Sequence, residues 1–179
     1  MNILAALKTV NTFVFDMDGV LTDGKVFIVP QHGEKEDYVM ARSMNTKDGF
    51  ALQLAAQKGY NLVIISGGIY PGANKRFVQL GIQHIFMGVK DKEKCLKMLA
   101  ESAHIDLQQA LFMGDDIPDR DVMLHCGIKA CPSDAVEEIK IISDYISPAK
   151  GGEGCVRDVI EKVLKLRGDW ELHTNIASK

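Results

Sequence analysis

Residues 12–23 read TFVFDMDGVLTD, in which a β-prone run at 12–15 is followed at once by two carboxylates, Asp16 and Asp18. Such a run predicts a buried strand that delivers charge at its carboxyl end. In open α/β sheets that edge is where ligands bind. Two like charges this close together are tolerated when a cation or a reacting group shares them. The stretch therefore predicts an α/β fold with a charged site at the end of its first sheet strand.

The composition is that of a globular protein. The chain has 179 residues, of which 46% are hydrophobic and 25% charged, and its net charge of -3 gives no cationic surface for nucleic acid. No apolar run is long enough to cross a bilayer. The four cysteines lack the spacing of a zinc site or a disulfide framework, which favours reduced thiols in a cytoplasmic protein. We therefore expect a small-molecule partner, with no nucleic acid and no membrane.

Strands and helices alternate along the rest of the chain. Further strands are predicted at 61–65, 84–87, 110–113, 128–131 and 145–146. Helices are predicted at 48–58, 74–80, 91–102, 119–125, 134–142 and 156–166. This alternation implies a Rossmann-like, mainly parallel sheet with helices on both faces. A projecting β-hairpin is predicted over about residues 24–42. We expect one domain over residues 1–167 and a tail over residues 168–179 that frays or docks on a neighbouring subunit.

Polar groups follow the predicted sheet strands in a fixed order. Asp16 and Asp18 follow the first strand, Ser66 follows the second, and Lys92 opens the helix after the third. The fourth predicted strand is followed by three acidic residues, Asp115, Asp116 and Asp119. Neighbouring carboxyl ends of a parallel sheet meet at one edge, so these side chains can share a pocket. Carboxylates suit Mg²⁺, and a lysine with a hydroxyl suits phosphoryl oxygens. The free nucleophile of the set is a carboxylate.

On these residues the chain resembles the haloacid dehalogenase-like (HAD) phosphotransferases over nearly its whole length. Each motif alone is weak, but four in order at strand ends are specific. The resemblance implies that Asp16 attacks phosphorus to form an aspartyl-phosphate, and that Asp18 acts first as general acid and then as general base. Ser66 and Lys92 are implied to stabilise the phosphoryl charge.

The same resemblance implies a metal site. Mg²⁺ is expected to bind Asp16, the backbone carbonyl of Asp18, and Asp115. Asp116 and Asp119 are implied to orient Lys92 or a metal-bound water from a second layer around the ion, with helix capping as the alternative.

Neither interval between the first three motifs holds a cap domain. One hairpin and one helix fill the interval from Asp16 to Ser66, and one helix and one strand fill the next. Together with the segments at 16–24, 45–49 and 151–157, this makes the chain similar to the capless 3-deoxy-D-manno-octulosonate 8-phosphate phosphatases. That family implies a homotetramer in which the hairpin pairs chains and the loop 151–154 approaches a neighbouring site. The alternatives are a hairpin that folds back on its own domain and a loop that is merely a flexible link.

The family resemblance also implies a substrate site. The implied binding residues are Asn45, Lys47, Asp48, Gly49, Gly67 and Arg76. For Lys47 and Arg76 an ordinary solvated charge is the alternative. Two positions depart from the family, because Gly68 stands where arginine is usual and Gln53 where a basic residue is frequent. The lost anion contact at Gly68 is worth roughly 1.5–3 kcal/mol.

The function expected from these residues is magnesium-dependent hydrolysis of a sugar-acid phosphate, first 3-deoxy-D-manno-octulosonate 8-phosphate. A nine-carbon ester, of the keto-deoxynonulosonate or sialic acid 9-phosphate type, is the alternative. An inactive binding module with the same fold is disfavoured by the presence of both Asp16 and Asp18. A phosphomutase is disfavoured because it needs a cap to exclude water.

Overall fold

Residues 2–31 and 37–170 are described by the computed structural model, with the side chains of Gln31 and Asp37 left out. The strands are β1 (Thr12–Phe15), β2 (Phe27–Gln31), β3 (Asp37–Ala41), β4 (Asn61–Ile65), β5 (His84–Phe86), β6 (Ala110–Met113), β7 (Ile128–Cys131) and β8 (Tyr145–Ile146). Six of them form one sheet in the order β5-β4-β1-β6-β7-β8, and every pair in it is parallel. The remaining two, β2 and β3, form a separate antiparallel pair.

Helices cover both faces of the six-stranded sheet. They are α1 (Ile3–Leu7), α2 (Thr46–Gln57), α3 (Pro71–Leu80), α4 (Lys92–Ala103), α5 (Arg120–Met123), α6 (Glu137–Ile142) and α7 (Cys155–Arg167), with 3₁₀ turns at Leu107–Gln109 and Ile117–Asp119. Successive strand residues point to opposite faces. Phe13 and Phe15 therefore pack with α1, α2, α3 and α7, while Val14 packs with α4, α5 and α6.

The fold class predicted from the sequence is confirmed, and the bounds of five strands (β1, β4, β6, β7 and β8) match the prediction. Three helices begin earlier than predicted: α7 by one residue, α2 by two and α3 by three. In α2 the Asn45 side chain accepts a hydrogen bond from the Lys47 N–H and caps the helix, which starts at Thr46. The ring of Pro71 fits the first turn of α3 because that position has no intrahelical donor to lose. The short α1, which was not predicted, is capped by Asn2.

The central position in the sheet belongs to β1. Its four residues are fully buried, and it pairs with β4 on one side and β6 on the other. Phe15 lies level with Ile64 of β4 and Met113 of β6, so the next residues of all three strands reach the same edge of the sheet. The sheet therefore places Asp16 between the turns that carry Ser66 and Asp115.

The hairpin formed by β2 and β3 is exposed and apolar. Phe27 is 54% and Ile28 is 69% exposed, and Val29, Val39 and Met40 are exposed as well. Among the described residues, its strands pair with each other rather than with the main sheet. The described part of the chain contains no helix with the length and apolar character needed to cross a membrane. The predicted tail lies outside the described residues beyond Trp170.

Candidate active site

Asp16 directly follows β1 and lies at the carboxyl edge of the sheet. Its backbone N–H donates to the carbonyl of Met113 at 3.1 Å, which continues the β1–β6 pairing by one residue. The residue is only 6% exposed. Three buried apolar residues, 13–15, precede it, so the strand brings a carboxylate into a place where isolated charge is unfavourable. A partner for that charge is therefore required.

Lys92, the first residue of α4, supplies the partner. Its Nζ lies 2.7 Å from Asp16 Oδ1 and 2.7 Å from Asp119 Oδ1. The second oxygen of Asp119 accepts the backbone N–H of Asp115 at 3.2 Å. Burial alone lowers the pKa of Lys92, but the two carboxylates outweigh it and raise the pKa above its ordinary value. The ammonium group thus stays charged between the nucleophile expected from the sequence and Asp119.

The carboxylates of Asp16, Asp115 and Asp119 form a cluster, with one oxygen of each within 4.8 Å of the others. Burial, and then the charge of Asp119, raises the pKa of Asp16 to about 7. Burial and the neighbouring carboxylates raise the pKa of Asp115 to about 8. Burial also raises the pKa of Asp119, against the effect of Lys92. Because one ammonium faces three acids, full ionisation of the cluster would leave excess negative charge, and a hard divalent cation fits this donor set.

Asp18 is oriented differently from Asp16 and is fixed by two residues from other segments. Arg42 Nε donates to Asp18 Oδ1 at 2.7 Å, and the Tyr70 hydroxyl donates to Asp18 Oδ2 at 2.7 Å. Arg42 Nη2 in turn donates to the Tyr70 oxygen at 2.7 Å. The sequence analysis missed both Arg42 and Tyr70, since each lies in a connection with no periodic pattern. The glycine at position 68 marked a departure from the family but did not indicate Tyr70.

Ser66 lies where the prediction placed it, at the carboxyl end of β4 beside β1. It is 1% exposed, its N–H donates to the carbonyl of Phe86 at 2.9 Å, and its hydroxyl oxygen accepts the N–H of Gly68 at 3.2 Å. Gly67, in the same turn, is exposed. The turn therefore presents a buried hydroxyl and an exposed backbone segment on the same edge as Asp16.

A cleft of about 810 Å³ lies between α2, α3 and the hairpin. Of the residues predicted to bind substrate, Asn45, Asp48, Gly49 and Arg76 line it. Lys47 instead lines a separate, smaller depression together with Arg157. Arg42 and Tyr70 line the large cleft and also touch Asp18, so they connect the cleft to the carboxylate edge.

Two predicted site residues accept hydrogen bonds from backbone N–H groups. Asp48 is 1% exposed, and its Oδ1 accepts the backbone N–H of Arg157 at 2.7 Å. Asp116 is exposed and accepts the N–H of Ile117 at 2.8 Å, which is the capping alternative considered from the sequence. Asp119 contacts Lys92, as the resemblance implied.

The loop 151–154 packs against the Asp16–Asp18 loop of its own chain. Gly152 N–H donates to the carbonyl of Val20 at 2.9 Å, and the Cys155 thiol donates to the same carbonyl at 3.2 Å. A Cβ on Gly151 would lie 1.9 Å from the carbonyl oxygen of Gly19, so this approach requires glycine. The loop therefore supports the local site and is more than a flexible link.

Known proteins resemble the chain over most of its length. No protein-family model matches it. It is 28% identical over 167 residues to the 3-deoxy-D-manno-octulosonate 8-phosphate phosphatase of Escherichia coli K12, covering 93% of this chain and 86% of that enzyme. The phosphatase of that name from Moraxella catarrhalis, solved with magnesium, phosphate and KDO, matches with a TM-score of 0.86 and 31% identity over 93% of this chain and 92% of that one. The cobalt-bound Haemophilus influenzae enzyme matches with a TM-score of 0.80 and 26% identity over 91% and 92% of the two chains.

The parallel sheet and the acidic edge around Asp16 and Lys92 define a member of the HAD superfamily. The likeness at 31% identity extends over nine-tenths of both chains, which is more than a shared fold. Within the superfamily, the chain belongs to the family of 3-deoxy-D-manno-octulosonate 8-phosphate phosphatases.

Proposed function

We propose that the protein is a magnesium-dependent phosphatase that hydrolyses 3-deoxy-D-manno-octulosonate 8-phosphate to KDO and phosphate. The observation that carries the proposal is the buried Asp16 carboxylate, bonded to Lys92 at 2.7 Å beside the Asp115 and Asp119 carboxylates. The relatives described above carry the name of the eight-carbon ester phosphatase, which favours that ester over a nine-carbon one.

The carboxylate edge fits a resident Mg²⁺ ion. The carboxylates of Asp16 and Asp115 and the backbone carbonyl of Asp18 would hold it, and when bound it would neutralise charge on the phosphoryl oxygens. Asp119 is not in the ligand set that the family resemblance implies, and its two oxygens accept hydrogen bonds from Lys92 and from the Asp115 N–H. Its role is to hold Lys92 toward Asp16.

In the first half of the reaction, an oxygen of Asp16 attacks phosphorus. The new bond joins the aspartyl oxygen to phosphorus, and the bond from phosphorus to the sugar oxygen breaks. Asp18 gives its proton to the departing sugar oxygen, so the sugar leaves as an alcohol. Lys92, which remains charged between Asp16 and Asp119, and the Ser66 hydroxyl stabilise the phosphoryl oxygens.

In the second half, water hydrolyses the aspartyl-phosphate. Asp18, now ionised, takes a proton from the attacking water, and the water oxygen forms a bond to phosphorus while the bond to Asp16 breaks. Inorganic phosphate leaves, and both carboxylates return to their starting states. Lys92 again pairs with Asp16 and limits the repulsion within the cluster.

Substrate recognition is assigned to the cleft beside Asp18. Arg76 supplies a cation for the sugar-acid carboxylate, and Asn45, Gly49 and the Gly67 backbone border the path to the carboxylate edge. Asp48 and Lys47 belong to the family segment, but Asp48 also caps α7 and Lys47 faces another depression. We assign Asp48 to the support of the cleft wall and Lys47 to a site completed by a second copy.

The assembly we propose is a homotetramer in the cytoplasm. The hairpin surface is apolar and exposed, with Phe27 at 54% and Ile28 at 69% exposure, and a contiguous apolar surface favours burial against another copy. Apolar residues such as Leu21, Met44 and Ile69 also line the open cleft. A second copy that covers both would supply the water-excluding wall that a cap domain supplies elsewhere.

A phosphate-release assay with Mg²⁺ tests the function. The panel contains 3-deoxy-D-manno-octulosonate 8-phosphate, two nine-carbon 9-phosphates and simple hexose phosphates, with Asp16→Asn as the matched inactive control. We expect the highest kcat/KM on the eight-carbon ester, and we expect no phosphate release by the Asp16→Asn control. Release from no member of the panel, or equal release by the control, contradicts the proposal. A higher kcat/KM on a nine-carbon ester would change the assigned substrate but not the proposed reaction chemistry.

A further inference from the structure

Asp18 is held by a pair of residues that the motifs of the sequence do not include. The Tyr70 hydroxyl bonds one oxygen of Asp18 at 2.7 Å, and the Arg42 guanidinium bonds the other at 2.7 Å. A third bond of 2.7 Å joins Arg42 to Tyr70. Arg42 comes from the end of the hairpin and Tyr70 from the turn after β4. Two separate segments thus meet on one carboxylate.

Gly68 makes room for the Tyr70 hydroxyl. A Cβ built on Gly68 would lie 2.0 Å from the Tyr70 oxygen and 2.1 Å from its Cζ. Real side-chain atoms do not approach so closely, so any larger residue at position 68 would expel the tyrosine ring. Gly68 is not among the glycines with positive φ, so its backbone would accept another residue. The glycine at position 68 is therefore explained by the space that the Tyr70 side chain occupies, and not by the backbone conformation.

Arg42 fixes the tyrosine ring as well as the carboxylate. Its guanidinium carbon lies 3.8 Å from the centroid of the Tyr70 ring, which is the geometry of a cation–π contact. The Arg42 side chain is 9% exposed, whereas that of Asp18 is 37% exposed. Without the pair, a carboxylate as accessible as that of Asp18 would be free to sample other rotamers.

One oxygen of Asp18 keeps capacity for a further bond. Oδ1 accepts Arg42 and, at 3.4 Å, the Thr22 hydroxyl. Among the described residues, Oδ2 accepts Tyr70 alone. A carboxylate oxygen accepts about two hydrogen bonds, so Oδ2 is the atom with a position left for a leaving-group oxygen or a water.

We propose that Tyr70, supported by Arg42, is the positioning residue for the Asp18 acid–base group, and that Gly68 admits its hydroxyl to this position. The inference rests on the proposed function, because it assigns to Asp18 the proton exchanged with the leaving group. A general acid acts through a hydrogen bond of fixed geometry, and a displacement of about 1 Å costs about 100-fold in rate. Tyr70 orients Oδ2, the oxygen that meets the leaving group.

The test compares two esters that need the general acid to different degrees. A sugar-acid phosphate has a basic alkoxide leaving group and depends on protonation, whereas p-nitrophenyl phosphate leaves readily without it. The variants are Tyr70→Phe, Gly68→Ala and the double variant. Val78→Ala is the control, since Val78 is 63% exposed on α3, which follows the same turn, and does not line the cleft. We expect Tyr70→Phe to lower kcat on the sugar ester about 10- to 100-fold, with a much smaller loss on the aryl ester and little change in KM.

Gly68→Ala should reproduce this pattern, because its Cβ occupies the place of the hydroxyl. The double variant should lose no more than either single variant, and Val78→Ala should match the parent. Equal losses on both esters, or an unchanged kcat in Tyr70→Phe, overturn the inference, as does an additive double variant. A parent protein without activity on either ester overturns the proposed function instead, so the two failures are distinct.

Discussion

The side chain of Asp48, near the start of α2, accepts a hydrogen bond of 2.7 Å from the backbone N–H of Arg157 in the first turn of α7. The N-cap of α7 is Gly154, which has no side chain to satisfy the free N–H groups of that turn. Asp48 thus caps a helix that lies far from it in sequence. The contact joins the segment that lines the cleft to the helix that follows the loop 151–154.

Asp48→Ala should destabilise the fold by about 1 kcal/mol, the ordinary worth of a helix cap. Asp48→Asn should lose less, because the amide oxygen can still accept the Arg157 N–H. Urea unfolding of both variants and the parent at pH 7.5 measures the difference. Equal losses for the two variants would show that the carboxylate charge, and not the hydrogen bond, provides the stability.

The pH dependence of stability should also report on Asp48. Burial raises the pKa of its carboxyl to about 6 in the folded protein, above the ordinary 3.8, although the N–H groups of the α7 N-terminus act against this. A raised carboxyl pKa gives a stabilisation that is complete below about pH 3.8 and is lost as the pH rises through 6. The free energy of unfolding of Asp48→Asn relative to the parent should therefore increase between pH 4 and pH 7. A constant difference would contradict the raised pKa.

Magnesium should stabilise the protein more at alkaline pH than at acidic pH. Burial and mutual repulsion raise the pKa of Asp16 to about 7 and that of Asp115 to about 8, so protons compete with the ion below these values. At pH 8.5 and a hundred times Kd, binding adds about 2.7 kcal/mol, which is roughly 5 to 11 °C in Tm for a chain of this size. At pH 6 the shift should be much smaller. Asp115→Asn is the control, and it should show little shift at either pH.

Asp16→Asn should abolish phosphate release while the fold remains. Loss of a covalent nucleophile costs about 10⁶-fold in other enzymes. The metal-free variant should be at least as stable as the parent, because the substitution removes one of three clustered charges and leaves Lys92 paired with Asp119. Thermal unfolding beside the activity assay checks both statements. A variant that unfolds would argue against the interpretation of Asp16 as a catalytic residue.

Ile28→Lys should shift the proposed tetramer toward smaller species. Ile28 is 69% exposed on the hairpin, and burying such a side chain is worth about 1.5–3 kcal/mol in each contact. Ile141→Lys is the matched control, because Ile141 is 74% exposed on α6, away from the hairpin. Light scattering after size-exclusion chromatography measures both. A parent that runs as a monomer with full activity would remove the basis of the oligomer proposal.

The sheet could be predicted from the sequence because its strands are apolar runs with clear ends. Asn61–Ile65 and Ala110–Met113 match the prediction, and both end in turns that carry polar residues. The cluster at the sheet edge followed from the parallel topology, which brings Asp16, Lys92 and Asp119 together although the chain separates them. Topology is thus enough to place residues at strand ends.

Contacts set by loop packing could not be predicted in this way. Arg42 and Tyr70 reach Asp18 through the path of two connections, and no periodicity or motif marks either residue. Gly68 indicated a missing arginine but not the tyrosine that occupies its space. Asp48 carried the pattern of a substrate segment, and its contact with α7 depends on how α2 and α7 pack.

The central place of β1 in the sheet has a consequence for deuterium exchange. Backbone amides of a strand bonded on both sides open only when the whole domain unfolds, whereas those of an isolated hairpin open through local fluctuations. The slowest-exchanging amides should therefore lie immediately before Asp16, and faster ones in the hairpin that ends beside Arg42. The backbone that carries Asp16 should therefore open only when the whole domain unfolds, whereas the segment beside Arg42 can rearrange while the domain stays folded.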